Sequence, residues 1–122
     1  MGPERTVVLV IDDDPDLRML VGICVADWGL TCVEACDCAS ALPLVERERG
    51  RLHAVLLDYF MPGFEPPRCT SEIRARVEPG VPIILVSAAP NVAERAAELG
   101  LDRFLSKPFD VAQLHDELLG PG

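Results

Sequence analysis

The sequence predicts an α/β protein: a doubly wound five-stranded parallel sheet with five helices on its two faces, a three-layer sandwich. Three observations carry this. Short continuous apolar runs at Val7–Ile11, Ala54–Leu57 and Pro82–Val86 are rich in Val, Ile and Leu and do not alternate, as strands buried on both faces require. Segments with helical spacing separate them. The resulting β-α repeat, five times over, gives a parallel sheet with helices on both faces.

Each element has its own signals. Thr31–Ala35 is a less apolar strand, fit for a place nearer an edge, and Arg103–Ser106 is a short fifth. The first helix spans about Pro15–Trp28: Leu17, Leu20, Val21, Cys24, Val25 and Trp28 form one stripe, Asp14 is the N-cap, Pro15 holds the first helical position and Gly29 is the stop. The second helix covers roughly Ser40–Arg49. Its Pro43 is tolerable near a helix start, where a missing N–H has no partner to lose. The third runs roughly Pro67–Val77, placed by Ile73 and Val77. Val92, Ala96 and Leu99 define the fourth, between Asn91 as N-cap and Gly100 as stop. Val111, Leu114 and Leu118 define the fifth (Val111–Leu119), capped by Asp110.

Size and charge bound the function. The 122 residues are expected to form one domain, 1–122, with its core at about 7–119. The composition, 49% hydrophobic and 25% charged, is that of a globular chain. No apolar run approaches a membrane span, and Met1–Thr6 has no signal-peptide character, so a cytoplasmic protein that engages no membrane is expected. Eleven basic against 20 acidic residues leave a net charge of −9, which argues against direct nucleic-acid binding by this domain. Ten of the eleven basic residues are arginines; Lys107 is the lone lysine.

The five cysteines are Cys24, Cys32, Cys36, Cys38 and Cys69. An odd count without an export signal favours reduced thiols. The spacing of Cys32, Cys36 and Cys38 lacks the paired CxxC of a metal cluster, and small buried or semi-exposed thiols are the expectation.

Ligands of open parallel sheets bind at the carboxyl ends of the strands. There the first strand delivers Asp12-Asp13-Asp14, the third Asp58, the fourth Ser87 and the fifth Lys107-Pro108. Clustered carboxylates repel one another, and a hard divalent cation relieves that repulsion while favouring phosphate oxygens as further ligands. A lysine adds a point charge for a phosphate and a serine adds a hydrogen-bond donor. A carboxylate can itself attack a phosphoryl group. Neither GxxxxGK[ST] nor GxGxxG is present, so no nucleotide site is indicated.

In order and spacing, Val8-Leu9-Val10-Ile11-Asp12-Asp13-Asp14-Pro15, Val55-Leu56-Leu57-Asp58-Tyr59-Phe60-Met61-Pro62-Gly63, Ile84-Leu85-Val86-Ser87-Ala88 and Phe104-Leu105-Ser106-Lys107-Pro108-Phe109 resemble the receiver domain of two-component response regulators, including the chemotaxis regulators. The resemblance covers Val7 to Leu119. It implies a flavodoxin-like sheet of order 2-1-3-4-5. It implies that Asp58 accepts a phosphoryl group from a sensor histidine kinase or a histidine phosphotransfer protein. It implies a Mg²⁺ (or Mn²⁺) site made by Asp13, Asp58 and the Phe60 carbonyl, with Asp12 acting through a metal-bound water. Lys107 would contact phosphoryl oxygens, and the Lys107–Pro108 bond would be cis. Ser87 and Phe104 match the hydroxyl and aromatic switch positions, which would move the face made by the fourth helix, fifth strand and fifth helix and so control a downstream protein or an output domain. The resemblance thus implies a switch with slow self-dephosphorylation and no enzyme turnover.

Departures from the family pattern also carry expectations. Phe64-Glu65-Pro66-Pro67 replaces the usual Met-Asp-Gly continuation, so an unusual lead into the third helix is expected. The fifth helix has no Arg or Lys for a charge-paired dimer, so a monomer or weak dimer is expected. Neither Phe60 nor Ala89, two past Ser87, can orient an attacking water. Two rivals share these residues: a receiver-like partner-binding module that is never phosphorylated, and a Mg²⁺-dependent phosphatase. The phosphatase wants an acid two past its nucleophile, where Phe60 stands.

Overall fold

The computed structural model describes residues 4–61 and 65–120. Five parallel strands, β1 (Val7–Ile11), β2 (Thr31–Ala35), β3 (Leu52–Asp58), β4 (Ile83–Ser87) and β5 (Phe104–Ser106), form one sheet of order β2-β1-β3-β4-β5. The helices are α1 (Pro15–Asp27), α2 (Cys38–Glu48), α3 (Pro66–Arg76), α4 (Val92–Glu98) and α5 (Val111–Leu119). A single 3₁₀ turn, Arg49–Arg51, leads from α2 into β3.

The period-two geometry of the strands splits the core into two layers. Val7, Leu9, Ile11, Val55, Leu57, Ile83 and Leu85 face α2, α3 and α4, meeting Ala41, Val45, Ile73, Val92 and Ala96. Val8, Val10, Ala54, Leu56, Ile84, Val86 and Leu105 face the other way, onto Val21, Cys24 and Val25 of α1 and Leu114 and Leu118 of α5. Each fully buried Val, Leu or Ile contributes about 1.5–3 kcal/mol, so both layers are needed. β2 and β5 are the edges, and in β2 only Ala35 is fully buried, Cys32 and Val33 being half-buried between exposed Thr31 and Glu34.

The caps explain where the helices begin. Asp14 caps α1 by accepting from the Asp16 amide at 2.9 Å, with Pro15 at the first position. Asp110 and Gln113 form a reciprocal capping box on α5. Gly29, Gly80, Gly100 and Gly120 adopt positive φ, and Gly29 and Gly100 follow the ends of α1 and α4.

Several expectations are corrected. α2 starts at Cys38, two residues early, because Asp37 is its cap and accepts from the Ser40 amide at 2.8 Å. Pro43 therefore stands inside the helix, where it removes a hydrogen bond to the Ala39 carbonyl; burial of Ala41 and Val45 holds the helix across that gap. Leu20 fits the buried stripe of α1 by spacing but is 43% exposed, and Val21, Cys24 and Val25 bury instead. Asn91 precedes α4 but its side chain makes no capping bond. The expectation of five thiols fails: Cys38 and Cys69 form a disulfide between α2 and α3, while Cys24, Cys32 and Cys36 are free. The expectations for Pro62, Gly63, Phe64, the first three residues and the last two lie outside the described residues. Among the described helices, none is long and apolar enough to cross a membrane.

Candidate functional site

The carboxyl ends of β1, β3, β4 and β5 converge because the strands are parallel and in register, Ile11 beside Leu57, Asp58 beside Val86 and Ser87 beside Ser106. The residues at and just past these strand ends therefore meet at one edge of the sheet.

Asp12 is buried just past β1, and its amide donates to the Ala35 carbonyl at 3.1 Å, extending the ladder with β2. One carboxylate oxygen accepts from the Asp14 amide at 2.9 Å and the other from Lys107 Nζ at 3.0 Å. Arg18 of α1 donates to the Asp12 carbonyl at 2.8 Å and to Glu34 of β2 at 3.0 Å, tying the end of β1 to its neighbours. Asp13 is exposed, and it brings a carboxylate oxygen to within 4.8 Å of those of Asp12 and Asp58.

Asp58 is the last residue of β3 and is 3% exposed. Lys107 Nζ stands 3.4 Å from its Oδ1, and the Phe60 amide donates to the same oxygen at 3.4 Å. Burial, followed by the charge of Asp12, pushes the Asp58 carboxyl up to about 6, against the pull of Lys107. Burial pulls the Lys107 ammonium down, yet the hydrogen bond to Asp12 and the charges of Asp58 and Asp12 outweigh it, and its pKa ends above the ordinary lysine value.

Ser87 is fully buried at the end of β4. Its hydroxyl accepts from the Ala89 amide at 3.0 Å, and its carbonyl accepts from the Lys107 amide at 2.8 Å. The Lys107–Pro108 bond is cis. Phe104 begins β5 with its ring partly in solvent, 39% exposed. Phe60 is 59% exposed and packs edge-on to Tyr59, their centroids 5.0 Å apart.

Asp12, Asp13, Asp58 and Lys107 thus meet in one place, with Ser87 on the neighbouring strand end. Three carboxylates face one ammonium, and Asp58 resists ionisation where it stands. That donor set and its surplus negative charge fit a hard divalent cation such as Mg²⁺, which oxygen ligands hold. Ring contacts reach beyond the site: the Arg95 guanidinium of α4 lies over the Tyr59 ring, 5.7 Å from its centroid. Sequence reasoning misses both Arg18 and Arg95. Arg18 carries no local motif, since its partners are a backbone carbonyl and a residue on another strand. A cation over a ring likewise depends on the packing of α4.

Comparison with known proteins agrees with this architecture. The family model of the response regulator receiver domain matches residues 8–119, and the chain belongs to that family. Among curated relatives it is 33% identical over 113 residues to a probable transcriptional regulator, ycf27, of Porphyridium aerugineum, covering 91% of this chain and 45% of that one. It is 32% identical over 120 residues to the transcriptional regulatory protein GlrR of Escherichia coli K12, covering 97% of this chain and 26% of the relative. The chain therefore spans less than half the length of these relatives. Among solved structures it is similar to the receiver domain of the sensor histidine kinase PA1611 from Pseudomonas aeruginosa, with 30% identity, a TM-score of 0.77, and coverage of 97% and 95% of the two chains. That structure has a magnesium ion coordinated in its active-site cleft. A CheY-like receiver domain from Methylobacillus flagellatus shares the fold, with a TM-score of 0.80 at 24% identity and coverage of 96% and 98% of the two chains. The flavodoxin-like sheet of order 2-1-3-4-5 is common to them.

Proposed function

We propose that this chain is a phosphoacceptor switch in which Asp58 takes a phosphoryl group from a sensor histidine kinase or a histidine phosphotransfer protein. The observation that carries the reading is Asp58 itself: a buried carboxylate at a strand end, 3.4 Å from the only lysine and grouped with Asp12 and Asp13. In the transfer, an Asp58 oxygen attacks phosphorus, the bond from phosphorus to the donor histidine nitrogen breaks, and that nitrogen leaves with the electron pair. The product is an aspartyl phosphate.

Asp13, Asp58 and the Phe60 carbonyl would hold Mg²⁺ or Mn²⁺, with Asp12 reaching it through a water. The cation supplies positive charge to the phosphoryl oxygens when bound. Lys107 holds its proton beside the acceptor and pairs with the incoming oxygens. Ser87 turns its hydroxyl toward them, and Phe104 moves inward into the space so vacated. That rearrangement alters the α4–β5–α5 face, which acts on a downstream protein or an output domain. The same reading makes the chain, 1–122, a single receiver unit, cytoplasmic, monomeric or weakly dimeric, touching neither membrane nor nucleic acid itself. It is a switch that hydrolyses its own phosphoryl group slowly, without substrate turnover. The direct test is incubation with a small acyl-phosphate donor and Mg²⁺, followed by intact mass. One stable, base-labile phosphoryl group is expected; none at all would leave a partner-binding module, and continuous release of phosphate would mark a phosphatase.

Lys107→Arg tests the switch apart from the chemistry. A planar guanidinium cannot present the compact ammonium that bonds Asp12 at 3.0 Å and reaches Asp58 at 3.4 Å. The variant is expected to keep accepting phosphoryl groups while the active arrangement loses about 1.5 kcal/mol, the worth of a charge-assisted hydrogen bond. Amide chemical shifts across α4, β5 and α5, with and without phosphodonor, read this. A full shift in the variant would reduce Lys107 to a generic positive charge.

The lifetime of the phosphorylated form depends on placing a water in line with the Asp58–phosphorus bond. Phe60 and Ala89 offer no polar side-chain atom for that water. The phosphorylated form should be long-lived for a receiver, suited to a slow response. Phe60→Asn is expected to speed decay by up to about tenfold, a barrier change near 1.4 kcal/mol. Loss of the phosphorylated mass after donor removal, with Mg²⁺ present, measures it. Equal decay rates would leave backbone and metal geometry in control.

A further inference from the structure

The disulfide between Cys38 and Cys69 lies outside the acidic site, and it joins two elements rather than two turns of one. Cys38 is the first residue of α2, and Cys69 is in the first turns of α3, 31 residues later, with Cα atoms 6.1 Å apart. Cys69 is 3% exposed and belongs to the core layer that includes Leu57, Met61 and Ile73, while Cys38 is half-buried at its margin. A groove of about 420 Å³ between α2 and α3 opens on both cysteines, lined also by Leu42, Arg68 and Glu72. Cys38 is thus the more exposed residue of the pair and Cys69 the more buried. Its attachment points also matter: α3 is the element that follows the strand ending in Asp58.

We propose that Cys38 and Cys69 are a reversible redox-modification site, a crosslink that clamps α2 to the start of α3 when oxidised and is opened by a dithiol reductant. In reduction, a thiolate of the dithiol attacks the sulfur of Cys38, the more exposed residue of the pair. The Cys38–Cys69 bond breaks, and Cys69 leaves with the electron pair and takes a proton. The second thiol of the dithiol then displaces Cys38, so the reductant ends as its own disulfide and the protein holds two thiols. In oxidation, the Cys38 thiolate takes the terminal oxygen of a hydroperoxide as a sulfenic acid and releases an alcohol or water. The Cys69 thiol condenses with it, expelling water. Cys36, exposed two residues away, is not needed in either direction.

The consequences are read without any phosphoryl transfer, so this inference and the phosphoacceptor reading fail separately. Intact protein treated with dilute hydroperoxide, denatured and labelled with a maleimide should show three free thiols, Cys24, Cys32 and Cys36, and after a dithiol it should show five. Peptide mapping should find the Cys38 and Cys69 peptides joined. Opening a loop of this length should lower Tm by roughly 10 °C, and reoxidation should restore it. Cys36→Ser should behave as the parent. Cys38→Ser should melt like the reduced parent whatever the redox state, and Cys69→Ala serves where a buried serine impairs folding. Five thiols after hydroperoxide, a crosslink between other cysteines, resistance to the dithiol until the protein is denatured, or an unchanged Tm on reduction would each overturn the proposal. The same thiol counts in Asp58→Asn would show the clamp to be independent of the acceptor.

Discussion

Asp58→Asn is expected to abolish phosphoryl uptake, by at least about 10⁴-fold, the scale of losing a catalytic nucleophile. The amide has the shape of the carboxylate but no oxygen nucleophilic enough to form an acyl phosphate. The fold should survive, because the core layers on both faces of β3 are untouched by the change. Stability without metal should hold level or rise. Burial and the charge of Asp12 disfavour the ionised carboxylate, and an amide avoids both. Lys107 keeps its closer partner, Asp12, at 3.0 Å, so it is not stranded. Intact mass after incubation with a small acyl-phosphate donor and Mg²⁺ gives the answer, with melting temperature as the control for folding. Uptake by the variant at the parental rate would mean that another residue is the acceptor.

The legibility of the molecule follows the range of the forces involved. β1, β3 and β4 are buried on both faces over Val7–Ile11, Ala54–Leu57 and Ile83–Val86, so these stretches are apolar without interruption and their places can be read directly. The ends of β1 and β3 can be read as well, since Asp12 and Asp58 each follow an apolar run, and Lys107 follows the short strand Phe104–Ser106. Parallel pairing then brings them together whatever the details. The boundaries of α2 are harder. Ser40 is a good cap by type, but Asp37 takes that role, which moves Pro43 from the helix start into its interior. A proline's local cost is overruled there by the burial of Ala41 and Val45. Leu20 illustrates the reverse: it fits the apolar stripe of α1 by spacing, yet it is left 43% exposed while Val21, Cys24 and Val25 take the buried face. The Cys38–Cys69 bond is out of reach because pairing depends on the packing of α2 against α3, which no local pattern encodes. Arg18 escapes for the same reason, its partners being a carbonyl and a residue on a neighbouring strand.

Asp13→Ala should produce opposite effects with and without metal. Asp13 is exposed and adds a third carboxylate within 4.8 Å of Asp12 and Asp58, both of which pair with Lys107. Removing it relieves repulsion, so melting without metal should occur at the same temperature or higher. Asp13 would also be a direct ligand of Mg²⁺. Loss of groups that merely support a metal ligand weakens affinity by 10–100-fold, so losing the ligand itself should weaken it by about 100-fold or more. At a Mg²⁺ concentration near 100 times the parental dissociation constant, the parent gains about 2.7 kcal/mol from binding, and the variant should gain little of it. Melting temperature should then rise with Mg²⁺ by roughly 10 °C in the parent and barely move in the variant. Calorimetric titration supplies the affinity directly, and is the better probe because Trp28, the only tryptophan, caps the far end of α1. A variant that melts lower without metal would show that Asp13 stabilises the fold in its own right. Parental Mg²⁺ affinity in the variant would remove Asp13 from the ligand set and leave Asp12 and Asp58 to hold the cation.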